Sequence, residues 1–185
     1  MQAWSDFLSG LDIQPLQDSN AICGLTETGL LYVGGDDAGD FLQNQLSNDI
    51  KRISPSLSQL SSFSNAKGRM HGVFRVIQIE GGYLLVMPHS ILAGVQQQLH
   101  KFILRSKVIL ADITDDFSLF SITSDLDQDL QHPALPAEIS QVYQSDSLIC
   151  VRLPAADGRR RAVPESFAPP AGRGPSRKGS AGPSR

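Results

Sequence analysis

Residues 73–87, VFRVIQIEGGYLLVM, settle the architecture of this chain. Two runs of β-branched, aromatic and aliphatic residues flank Glu80-Gly81-Gly82. Strand formers on both sides of a glycine-containing turn predict a β-hairpin.

Working outward, residues 90–103, SILAGVQQQLHKFI, place apolar side chains at 91, 92, 95, 99, 102 and 103. That is a helical period. Ser90 is a suitable N-cap, and Lys101, Arg105 and Lys107 suit the negative end of the helix dipole. On the other side lies SNAKGRMHG, residues 64–72, which crowds Asn65, Lys67, Gly68 and Arg69 together beside a strand. Glycine permits a positive φ or a close ligand approach, and paired cations suit a carboxylate or phosphate. The same residues also make an ordinary polar turn.

Further out, GGDDAGDFLQNQLSNDI predicts a helix capped by Asp37, with Asp40 in the capping-box position, ending near Asn48. Residues 21–25 and 30–33 read as a hairpin, 57–63 as a strand, and VILADI, FSLFSI and SLICVRL as three more. Residues 124–140 read as loop. The fold class is α+β, a mixed-sheet domain.

Composition bounds the rest. Residues 158–185 carry seven Lys/Arg and one Glu, whereas residues 1–157 carry a net charge of −9. An acidic body gives no global electrostatic reason to bind nucleic acid. The Gly/Pro/Ser/Ala/Arg tail has only Val163 and Phe167 as large apolar residues, so disorder is expected over 158–185. It reads as a basic docking tail or, preferably, as a GC-rich gene translated out of frame. Residues 4–18 read as a short helix or an extended arm, within an N-terminal arm over 1–20 that lacks a secretory signal. No run is long and apolar enough to span a membrane. Cys23 and Cys150 stand apart, without CxxC spacing. They fit buried thiols in a reducing, cytoplasmic setting or a single disulfide.

Little catalytic chemistry is legible. VGGDDAGDF lacks a phosphate-loop pattern, and Asp36 and Asp37 would repel phosphate. The four histidines are scattered, so no metal site is expected, and no nucleophile elbow is present.

Three segments taken together, DDAGDFLQNQLSNDI, NAKGRMHGVFRV and LHKFILRSKVILADIT, resemble the N-terminal part of the YgfZ family, relatives of the glycine-cleavage aminomethyltransferase. The resemblance runs from about residue 23 to 153 and includes VRLPAADGRR. It implies a folate-binding domain over 21–157, incomplete because the family's cysteine-containing C-terminal signature is missing, with truncation near residue 160. It implies tetrahydrofolate, or a formyl or methylene derivative, as cofactor, and a role in maintaining iron–sulfur enzymes, some of which modify tRNA. Partners by resemblance are iron–sulfur enzymes or assembly factors. Nucleic acid is expected to meet only the basic tail.

The site residues so implied are Asn65, Lys67, Gly68 and Arg69 of the turn, with Gln43, Gln45, Asn48 and Asp49 of the preceding helix and its exit. The aminomethyltransferase keeps an Asp soon after this turn; the equivalent position here is Gly72, which argues against methylene transfer. No catalytic residue is assigned. An aminomethyltransferase-like enzyme and an interaction module docking RNA through its tail are the alternative classes.

Overall fold

The computed structural model describes residues 21–123, 136–154 and 163–168. Two five-stranded antiparallel sheets pack together. The first has the order β3 (Gln59–Ser64), β4 (Met70–Ile79), β5 (Gly82–Pro88), β2 (Thr28–Gly34), β6 (Ile109–Asp112). The second has the order β1 (Ala21–Gly24), β7 (Ser118–Thr123), β10 (Val163–Ala168), β9 (Leu148–Leu153), β8 (Val142–Ser145). Helices α1 (Ala38–Gln45) and α2 (His89–His100) join elements of the first sheet.

The β4–β5 hairpin forms as its sequence predicts, with Ile79 paired to Gly82 and Gly81 at φ +80°. Its apolar residues divide between two cores by the strand's period of two. Phe74, Val76, Leu85 and Met87 join Leu31 and Val33 under α1 and under Leu92, Val95 and Leu99 of α2. Ile77, Leu84, Val86 and Leu30 face the second sheet, meeting Leu119, Val142, Ile149 and Val151. The first sheet is therefore the middle layer, buried on both sides, which is why its central strands carry little polar alternation.

A close approach fixes α2. A Cβ built on Gly72 would lie 3.0 Å from Ile91 Cδ1 and 3.2 Å from Val95 Cγ2, so the bare backbone of β4 lets the helix settle. At the junction of the two sheets, Ser140, at φ 69°, accepts bonds at its carbonyl from Ser58 N (2.8 Å) and Ser58 Oγ (2.9 Å). Buried Arg75 donates to both serine hydroxyls, at 2.9 and 3.2 Å.

Several expectations are corrected. Residues 21–25 and 30–33 do not form a hairpin: β1 pairs with β7 in one sheet and β2 with β5 and β6 in the other. Proximity in sequence suggested a pairing, but longer-range partners supply both ladders. The first helix ends at Gln45, not near Asn48, because residues 46–49 turn to run along β3. Asp37 sits at the N-cap position without capping the helix; its Oδ2 accepts from Lys107 N at 2.7 Å, while Asp36 pairs with Lys107 Nζ at 3.0 Å. The long helix starts one residue before Ser90, after Pro88, so Ser90 lies inside it.

Strand β8, VYQS, escaped the sequence reading because only Val142 and Tyr143 of its four residues are strand formers. The expected disorder of 158–185 does not hold at Val163–Ala168, which pairs with β7 on one side and β9 on the other. Backbone bonds to two neighbouring strands need no apolar side chains, and a composition criterion does not count them. The rest of that tail and the arm at 1–20 lie outside the described residues.

Candidate functional site

The turn between β3 and β4 is built by Asn65. Its carbonyl accepts from Gly68 N at 2.9 Å, and its own N–H donates to Arg69 O at 2.9 Å. Its side-chain Oδ1 accepts from Lys67 N at 2.9 Å and Arg69 N at 3.0 Å. One amide thus satisfies two backbone donors and closes the loop on itself. Gly68 takes φ +77°, and nothing lies within 4 Å of a Cβ placed there. Glycine is needed for conformation, not for room.

With the backbone satisfied, the side chains of Lys67 and Arg69 point to solvent. Neither forms an ion pair or side-chain hydrogen bond among the described residues. The result is two positive charges on a rigid turn. Such an arrangement can take a carboxylate or phosphate by charge-assisted hydrogen bonds, without first breaking an internal pair.

Gln43, Asn48 and Asp49 are arranged otherwise. Gln43 Oε1 accepts from Ile50 N at 2.8 Å, holding the exit of α1. Residues 46–49 then run antiparallel to β3. Leu46 bridges Phe63, and Ser47 N donates to Ser62 O at 2.9 Å. Asn48 Nδ2 donates to Leu60 O at 2.6 Å, and Gln59 Nε2 donates to Asp49 O at 3.0 Å. Asp49 Oδ1 accepts from Lys51 N at 3.1 Å, capping the short 3-10 turn Ile50–Arg52. This polar seam covers the outer edge of β3, whose backbone groups would otherwise be open to another strand.

The two groups do not form one cluster. Asn48 meets β3 at Leu60, five residues from Asn65, or about 17 Å along an extended strand. Gln45, the last residue of α1, makes no hydrogen bond to either group among the described residues.

Gly72 is buried beneath Ile91 and Val95. A carboxylate there would enter the apolar layer under α2, where desolvation disfavours its charged form. Cys150 is equally remote from solvent chemistry: burial pushes its thiol up to about 11, so it is not a ready nucleophile. Cys23 is exposed, which corrects the expectation of two buried thiols, and both cysteines are free. Among the described residues, no group of three or more His, Cys, Asp or Glu could hold a metal, and no helix is long and apolar enough to cross a membrane.

Two features gave no sequence signal: the Arg75–Ser58–Ser140 junction, whose members are 65 and 17 residues apart, and a cluster of rings. In that cluster, buried Phe63 supports His71 at 5.2 Å and Phe102 at 6.2 Å.

No family model matches the sequence. The chain is 29% identical over 98 residues to the tRNA-modifying protein YgfZ of Colwellia psychrerythraea, covering 53% of this chain and 30% of that protein. It is 31% identical over 81 residues to the tRNA-modifying protein YgfZ of Vibrio atlanticus, covering 44% and 25%. The aligned stretch thus spans less than a third of these curated relatives. The glycine cleavage system aminomethyltransferase T of Bartonella henselae superposes with a TM-score of 0.67 at 16% identity, over 82% of this chain and 42% of that one. At that identity the likeness concerns the fold alone. The chain is therefore similar in sequence to YgfZ proteins over about half its length, and it has the α+β fold of part of an aminomethyltransferase T.

Proposed function

We propose that this chain carries a folate-binding portion of a YgfZ-like accessory factor, one that supports iron–sulfur proteins and, through them, tRNA modification. The observation that carries the reading is the β3–β4 turn: a closed loop that presents Lys67 and Arg69 without side-chain partners among the described residues. A tetrahydrofolate derivative ends in a glutamate whose carboxylates are acceptors for such cations. Lys67 and Arg69 hold that acidic end. Asn65 and Gly68 set the turn, while Gln43, Asn48 and Asp49 hold the edge of β3 beside it. The similarity to YgfZ proteins supports the same reading.

The enzyme alternative finds no support at Gly72. An acid there would have to displace the Ile91 and Val95 side chains and lie buried under α2, where its charged form is disfavoured.

The test is calorimetric titration of the full chain with 5-formyltetrahydrofolate, beside a Lys67→Ala, Arg69→Ala variant. The reading predicts saturable binding, weakened at least about tenfold in the variant, as expected when charged hydrogen bonds are lost. Equal affinity of the two proteins, or no binding by a folded chain, would overturn it.

A further inference from the structure

The segment KFILRSKV, residues 101–108, has no place in the folate reading, yet it is among the most exposed parts of the domain. The charges of the chain are also partitioned. From residue 51 to 111 there are eight Lys/Arg and a single acid, Glu80, whereas residues 21–50 hold five acids and no Lys or Arg. The acidic total of the body conceals a strongly basic central segment.

Two of its eight cations are already engaged by other side chains of the domain, one at the surface and one buried. Lys107 pairs with Asp36, and Arg75 is buried on serine hydroxyls. Lys101 and Arg105 are exposed and form no ion pair among the described residues; the Lys101 ammonium donates only to the neutral Gln98 amide, at 3.0 Å. Between them Phe102 is 48% exposed and Leu104 86%. The Phe102 ring meets buried Phe63 edge-on, which anchors it while leaving area open to solvent. His71 rests on the same Phe63, so the start of β4, with exposed Arg69 and Met70, adjoins the end of α2. The partial negative charge at the end of α2 is outweighed by these cations.

We propose that this surface, formed by Lys101, Phe102 and Arg105 with His71 alongside, binds RNA, the cations meeting phosphates and the Phe102 ring stacking on an unpaired base. Separated cations around an anchored, half-open aromatic ring suit a polyanion carrying bases, because phosphates repeat along the strand and every base offers a stacking face. The inference goes beyond the folate reading. It makes the proposed link to tRNA a direct contact, and it does not depend on folate binding.

The experiment is fluorescence anisotropy of a labelled, unmodified tRNA transcript titrated with the full chain at 50, 100 and 200 mM salt. The expected result is binding that weakens steeply with salt, as counterion release requires. Lys101→Glu, Arg105→Glu should weaken it at least about tenfold at 50 mM salt. Phe102→Ala should weaken it about five- to hundredfold, the range for losing one stacked base, with an unchanged salt slope. Phe102→Leu, which keeps apolar volume over Phe63, should weaken it as much and so separates stacking from folding. The inference is overturned if a folded chain fails to bind at 50 mM salt. It is overturned if the charge-reversed variant binds as well as the original, since the basic tail then accounts for binding. It is overturned if polyglutamate or anionic vesicles bind as tightly as the tRNA. Titration with 5-formyltetrahydrofolate should be unaffected by the charge reversal, so the two readings stand or fall separately.

Discussion

The seam along β3 and the turn at its end are both polar, but they differ in where their hydrogen bonds go. In the seam, Gln43, Asn48 and Asp49 direct side-chain acceptors and donors at backbone groups of the chain itself. In the turn a single residue, Asn65, does that work, and Lys67 and Arg69 are left facing outward. A polar side chain already engaged with the backbone must lose a bond before it can serve a ligand; an exposed cation need lose only water. Of the site residues that the resemblance implies, the cations are therefore the ones that no side-chain bond among the described residues ties down.

The largest effect is expected at Gly72, in β4 beneath α2. Gly72→Asp would bury a carboxylate against Ile91 and Val95 and should destabilise the fold by about 3–5 kcal/mol, measured by urea denaturation. A stable Gly72→Asp protein would show that α2 can lift and would reopen the enzyme reading.

The two thiols offer the next test of buried against exposed chemistry. Cys23 should react readily with iodoacetamide, and Cys150 only on unfolding. The Cys150 thiol is held neutral to about pH 11 in the fold but ionises near 9 once unfolded. Above pH 9 the unfolded state therefore binds fewer protons than the folded one. Stability should fall as pH rises, by roughly 2–3 kcal/mol at pH 11. A Cys150→Ala variant should lose that dependence.

Asn65→Ala removes one acceptor from two backbone donors and should cost about 1–2 kcal/mol. Gln43→Ala should cost about 1 kcal/mol by freeing Ile50 N. The smallest effect on stability is expected from Lys67→Ala, Arg69→Ala, within about 0.5 kcal/mol, as for surface positions without partners. A large loss there would mean that the cations are structural after all.

Much of the middle layer was legible in the sequence because its signals are local: the β4–β5 hairpin follows from strand formers around a glycine turn, and α2 from a clean apolar period. What escaped depended on distance. The separation of β1 and β2 into different sheets is decided by β7 and β5, nearly a hundred and about fifty residues away. Strand β10 is held by two neighbours that its own composition does not reveal. Asp37 looked like a helix cap because nothing near it announces Lys107. At the candidate site the residue types were visible, but the division of labour was not: the sequence shows Asn65, Lys67, Gly68 and Arg69 as one polar cluster, and only the hydrogen bonds separate the residues that build the turn from those that it displays.

The division of labour between turn and seam can be measured by taking the original chain, Lys67→Ala, Arg69→Ala and Gln43→Ala through the same thermal melt and the same titration with 5-formyltetrahydrofolate. The account predicts that the double variant melts with the original and loses at least about tenfold in affinity, while Gln43→Ala melts lower and binds as the original does. The reverse pattern, with Gln43→Ala losing affinity and the double variant retaining it, would contradict the account and move the ligand to the seam.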